Sequence, residues 1–171
     1  MKKGMRDPRA CLFVIAALLA PLPVQARSLT NEELKRLESG QQVMILLDDD
    51  PEYVGGSSHI LIEDDIKTAW TVVQDPAIFE KLYPSVLESK IVSRTDGATT
   101  IKMVHGNKLV KAVCYVSYRT NAKKHRLSWR LDKSRKSDIT ETRGSIRFSQ
   151  YQDGRTLITM TTLLGIGNEF I

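Results

Sequence analysis

From Leu87 onward, apolar residues recur at every second position in six successive stretches, at about 88–95, 98–105, 108–120, 126–133, 139–151 and 155–164. A period of two places one set of side chains on each face of a strand. Three of the joins are turn dipeptides of the hairpin kind, Asp96-Gly97, Gly106-Asn107 and Asp153-Gly154,. The other two, around Asn121 and Ser134, are short and polar. Parallel neighbours would need crossovers of about a dozen residues or more. The second half of the chain is therefore predicted to form an antiparallel meander with one apolar face.

That face needs a cover, and the first half offers little. Thr30-Asn-Glu-Glu33 has the form of a capping box and Gly40 that of a stop, predicting a short helix over 31–39,. Val43–Leu47 and Ser58–Ile62 read as strands, separated by Asp48-Asp49-Asp50-Pro51-Glu52 and a Gly55-Gly56 turn,. Asp64-Asp65 caps a helix whose apolar positions are Ile66, Ala69, Trp70 and Val73,. Asp75-Pro76 restarts a shorter helix through Phe79 and Leu82. At the other end, Asn168-Glu169 has the form of a helix start, and the sequence stops one turn later,. The expectation is an α+β domain whose C-terminal helix is truncated.

The N-terminus reads differently. Lys2, Lys3, Arg6 and Arg9 precede an apolar run of ten residues, Cys11 to Ala20, then Pro21, Pro23 and Val24-Gln25-Ala26. Basic, apolar and small-residue regions in that order are the secretory signature. The run is half the roughly 20 residues a spanning helix needs. Residues 1–26 are expected to be a signal peptide cleaved after Ala26, residues 27–41 a short helical lead-in, and residues 42–171 the domain. The protein would be exported, to the periplasm in a Gram-negative host.

Export changes what the charge means. The chain has 25 Lys and Arg against 20 Asp and Glu, but residues 27–171 have 21 against 19. The pI near 9.2 thus owes much to the signal and does not argue for nucleic acid. Within the domain, residues 27–89 carry 5 bases and 13 acids, and residues 90–147 carry 15 bases and 4 acids. Two accounts of the basic half stay open: solvated strand faces, or a surface that meets anionic lipid headgroups, centred on Lys123-Lys124-His125-Arg126 and Arg130–Lys136. Cys114 is the single cysteine after residue 26, so a disulfide within the domain is impossible,. Neither His59, His105, His125 nor Cys114 stands at metal-ligand spacing from another,. Asp48–Glu52 lacks the later Glu of a calcium loop,. No metal and no cofactor is expected.

Five segments resemble one family. Asp65-Ile-Lys-Thr-Ala-Trp-Thr-Val-Val-Gln-Asp-Pro76 and Phe79-Glu-Lys-Leu-Tyr-Pro-Ser-Val86 are similar to the helical and pre-strand segments of the START-like (SRPBCC) superfamily. Leu127-Ser-Trp-Arg-Leu131, Gly144-Ser-Ile-Arg-Phe148 and Asp153-Gly-Arg-Thr-Leu157 resemble its strand pieces in the same order. The resemblance spans about residues 42–167 and is nearest to the polyketide cyclase and coenzyme Q-binding branch. It implies a helix-grip fold, in which a curved sheet wraps a C-terminal helix around a hydrophobic ligand.

On that basis the lining is expected from the apolar strand faces, at Ile101, Met103, Val116, Tyr118, Trp129, Leu131, Phe148 and Met160, with Phe79 and Tyr83 near the mouth. The leading expectation is an exported, non-catalytic domain that binds or carries a lipid, quinone or polyketide, without a nucleic-acid partner. Two alternatives remain: a cyclase- or hydrolase-type enzyme using His105, Tyr118 and Glu141, or a truncated, non-functional member.

Overall fold

The computed structural model describes residues 27–46, 53–107 and 109–165. The expected signal over 1–26, the acidic loop Asp48–Glu52 and the helix start at Asn168-Glu169 lie outside the described residues.

Helix α1 (Asn31–Glu38) starts as the sequence predicts. Thr30 Oγ1 accepts from the Glu33 amide at 3.3 Å while the Glu33 carboxylate accepts from the Thr30 amide at 2.8 Å,. Leu37 is fully buried beneath it. Strand β1 (Val43–Leu46) pairs with β2 (Tyr53–Ile62), which is longer than the expected Ser58–Ile62. Gly55 and Gly56 sit inside β2 and do not form a turn. A Cβ on Gly55 would fall 2.0 Å from the Thr162 carbonyl oxygen, and one on Gly56 would fall 2.1 Å from that of Ile45. The glycines are therefore what lets two neighbouring strands approach β2 on its two sides.

Asp65 caps α2 (Ile66–Val72), its carboxylate accepting from the Thr68 amide at 2.8 Å. A 3₁₀ turn over Pro76–Ile78 leads into the single-turn α3 (Phe79–Leu82). Six strands follow: β3 (Val86–Thr95), β4 (Ala98–Gly106), β5 (Lys111–Asn121), β6 (Arg126–Leu131), β7 (Thr142–Gln150) and β8 (Thr156–Gly165). All pair antiparallel in one eight-stranded sheet of order β1-β2-β8-β7-β6-β5-β4-β3. The meander is as expected, and β8 closes back onto β2.

Two strands begin later than the period-two pattern suggests. β5 starts at Lys111 because Asn107 accepts from Val110 through its side chain and donates to the Val110 carbonyl, tightening the turn. β7 starts at Thr142 because residues 132–138 pair with the front of β5: the Asp132 amide donates to Tyr115 and that of Asp138 to Val113.

Helices α2 and α3 lie on the inner face. Trp70 and Phe79 bury against Ile101, Val116, Tyr118, Leu127, Ile146 and Phe148, each large side chain contributing about 1.5–3 kcal/mol relative to exposure. Trp70 stacks edge-on to Phe148 and to His125, both at 5.8 Å. Helix α1 instead covers the outer face of β1 and β2, where Val43 and His59 pair and are buried. The inner face of β1, β2 and β8 is less covered, with Met44, Leu46, Val54, Ile60 and Leu164 all exposed. Among the described residues, no helix is long and apolar enough to cross a membrane.

Candidate functional site

The two short helices close one end of the inner face and leave space at the other. Register decides which side chains surround that space. Met103 stands opposite Cys114, Tyr118 opposite Trp129, Ile146 opposite Met160 and Thr142 opposite Leu164. Directly opposed residues share a face, so all eight point inward. Phe79 and Tyr83 come down from α3 and its exit, their rings 6.0 Å apart. Together they bound a cavity of about 440 Å³.

Two of the polar groups that reach this cavity, both tyrosine hydroxyls, are engaged by the protein. Tyr118 Oη donates to the Val73 carbonyl at 2.8 Å, tying β5 to the end of α2. Tyr83 Oη donates to the Met160 sulfur at 2.8 Å, across from α3 to β8. Burial pushes both phenols above their usual range. Burial, with Asp138 adding a smaller push, raises the Cys114 thiol to about 11, so it is a neutral, apolar wall at neutral pH. His105 also lines the cavity, and burial holds its imidazole below its ordinary value. Its side chain has no hydrogen-bond partner among the described residues. The wall is thus apolar in effect, with His105, Thr142, Thr162 and Ser85 as its polar points.

Of the ten residues expected to line a pocket, seven surround this one: Phe79, Tyr83, Met103, Val116, Tyr118, Trp129 and Met160. Ile101, Leu131 and Phe148 do not. They are 0%, 7% and 3% exposed and packed in the core. For Phe148 the reason is Trp70, which fills the space above it. The lining also includes Cys114 and Ile146, which share the alternating face, and Ile139, which lies in the β6–β7 loop and carries no periodic signal. Glu141, an alternative catalytic candidate, is on the other side: it pairs with Lys133 at 2.6 Å and faces the outer groove. Among the described residues, no three His, Cys, Asp or Glu side chains group as a metal site would require.

No family model matches the chain, and no curated protein matches it. Solved structures do match in architecture. The Zhui aromatase/cyclase from Streptomyces sp. R1128 superposes with a TM-score of 0.59 at 10% identity, over 67% of this chain and 70% of that one. A START superfamily protein from Mycobacterium smegmatis gives 0.55 at 12%, over 68% and 79%. The di-domain ARO/CYC StfQ of the steffimycin biosynthetic pathway gives 0.54 at 11%, over 67% of this chain and 38% of that one. At such identities the likeness concerns architecture alone, and the α+β architecture it shows is the START-like, helix-grip fold.

Proposed function

We propose that the protein binds or carries an apolar small molecule, of the lipid, quinone or polyketide kind, in the cavity between the sheet and α3, and does so outside the cytoplasm once residues 1–26 are removed. The observation that carries this is the cavity wall: about 440 Å³ of space whose two tyrosine hydroxyls are already satisfied by Val73 and Met160. A volume of that order suits a small-molecule site, where apolar walls and a few polar points are usual. Among the described residues, a polar or charged ligand would find His105 as the one ionisable imidazole on the wall and no carboxylate. The likeness to an aromatase/cyclase and to a START superfamily protein agrees with an apolar cargo without naming it.

Native mass spectrometry of protein purified from its own host, with thermal shifts against lipids and quinones, tests the reading. A bound apolar molecule or a raised melting temperature is expected. A consistently empty protein with no shift from either class overturns it. N-terminal sequencing of that preparation tests the export, with Arg27 expected as the first residue.

A second reading, a cyclase- or hydrolase-type enzyme, rests on His105, which reaches the cavity with no hydrogen-bond partner among the described residues. Loss of product formation in His105→Ala, with folding intact, would favour it.

A further inference from the structure

The outer face of the sheet carries a feature that the cavity does not explain. On β6 and β7, Arg126 stands directly opposite Arg147, and Arg130 directly opposite Arg143. Arg119 on β5, opposite Ser128, lies on the same face beside them. Like charges placed directly opposite one another across antiparallel strands are destabilising. Five guanidinium groups are thus held on three adjacent strands, and among the described residues none of the five forms an ion pair. Arg119, Arg126, Arg130 and Arg147 are exposed. Arg143 lies over the Tyr53 ring at 4.7 Å, and its buried Nε has no hydrogen-bond partner among the described residues.

The acids nearby among the described residues do not neutralise the group. Glu141 is taken by Lys133 at 2.6 Å and Asp132 by Arg135 at 3.5 Å. A solvated strand face would be served as well by lysines or by alternating signs, without two opposed arginine pairs. Ser128 and Ser145 stand opposite each other between the two arginine pairs, adding hydroxyl donors. Guanidinium forks and hydroxyls together match phosphate oxygens.

We propose that this outer face docks on the anionic phospholipid headgroups of a membrane. The arginines form a two-dimensional grid: strands lie about 4.8 Å apart, and residues four apart on one strand about 13 Å. A grid of that kind meets a field of phosphates, where a single extended polyanion would follow one row. The surface lies on the opposite side of the sheet from the cavity, so it does not depend on what the cavity holds.

Co-sedimentation of the purified protein with vesicles of phosphatidylcholine alone, and of phosphatidylcholine with one third phosphatidylglycerol, tests this. Binding to the anionic vesicles only is expected, lost near ~1 M sodium chloride, where the Debye length is about 3 Å. Arg126→Ser with Arg130→Ser should weaken binding about fivefold per charge removed. Lys67→Ser with Lys81→Ser, on the helices, should not change it. Arg147→Glu converts a repulsive pair into an attractive one, so it should raise the melting temperature by about 1–3 °C while weakening vesicle binding. Equal binding to neutral vesicles, unchanged binding in the Arg126/Arg130 double variant, or a lowered melting temperature in Arg147→Glu overturns the proposal. So does binding to an oligonucleotide in preference to the vesicles, which would make the partner a nucleic acid.

Discussion

Gly144 lies directly opposite Trp129 across β6 and β7, and the indole occupies the space a side chain there would need. A Cβ on Gly144 would fall 2.1 Å from Trp129 Cζ2 and 2.4 Å from the Thr161 carbonyl oxygen. Both are far inside contact distance, and the second is backbone that a rotamer change cannot move. Gly144→Ala should therefore destabilise the fold by about 1–3 kcal/mol through overpacking, read as a lowered urea midpoint with the slope unchanged. A midpoint equal to the wild type would mean that Trp129 does not fill this space in solution.

Tyr118→Phe removes the donor to the Val73 carbonyl at the end of α2. The ring stays against Phe79, whose centroid is 5.9 Å away, so the loss is that of one buried hydrogen bond. The expected cost is about 1–2 kcal/mol in urea unfolding, with ligand binding retained in native mass spectrometry. Loss of ligand at unchanged stability would show that the hydroxyl serves the cargo and not the helix.

His59 sits under α1 with Nε2 3.1 Å from Ser57 Oγ and Nδ1 3.2 Å from Thr159 Oγ1. Burial holds its pKa below the ordinary 6.5, opposed by Glu33 and aided by Arg27. The folded state then binds fewer protons than the unfolded chain, so stability falls as pH drops below about 6.5. His105, also held low by burial, contributes in the same window. The melting temperature should decline from about pH 7 to about pH 5, and His59→Gln should make that decline shallower. Identical slopes in the two proteins would remove His59 from the account.

Cys114 is 3% exposed and its thiol is raised to about 11. It should resist a maleimide or a disulfide reagent at pH 8 in the native protein and react at once in denaturant. Because the folded pKa lies above the unfolded one, the thiol contributes stability below about pH 9 that is lost as pH rises toward 11,. Cys114→Ser should flatten that alkaline decline. Fast native modification would mean that the cavity opens readily to solvent at this wall.

The fold was legible because its signals are local. The six-strand meander follows from a period of two and hairpin dipeptides, and α1 and α2 from capping residues at Thr30 and Asp65. The errors came from residues whose conformation is set by neighbours remote in sequence. Gly55-Gly56 looks like a turn, yet it is straight strand because β1 and β8 both need to approach it. Ile139 lines the cavity from a loop that only its pairing with β5 brings inward.

The site divides along the same line. Alternation by itself determined which side chains share the inner face, and so placed Met103, Val116, Tyr118, Trp129 and Met160 together. It could not determine how much of that face is filled, since strand periodicity is identical for core and cavity wall. Only the docking of α2 and α3 decided that: Trp70 covers Phe148 at one end, and Phe79 and Tyr83 stop short of the other. The arginine pairs show the same limit from the outside, because Arg126 and Arg147 become opposed only through the register of β6 on β7. Side-chain direction is a property of each strand, whereas depth and opposition are properties of how distant segments pack.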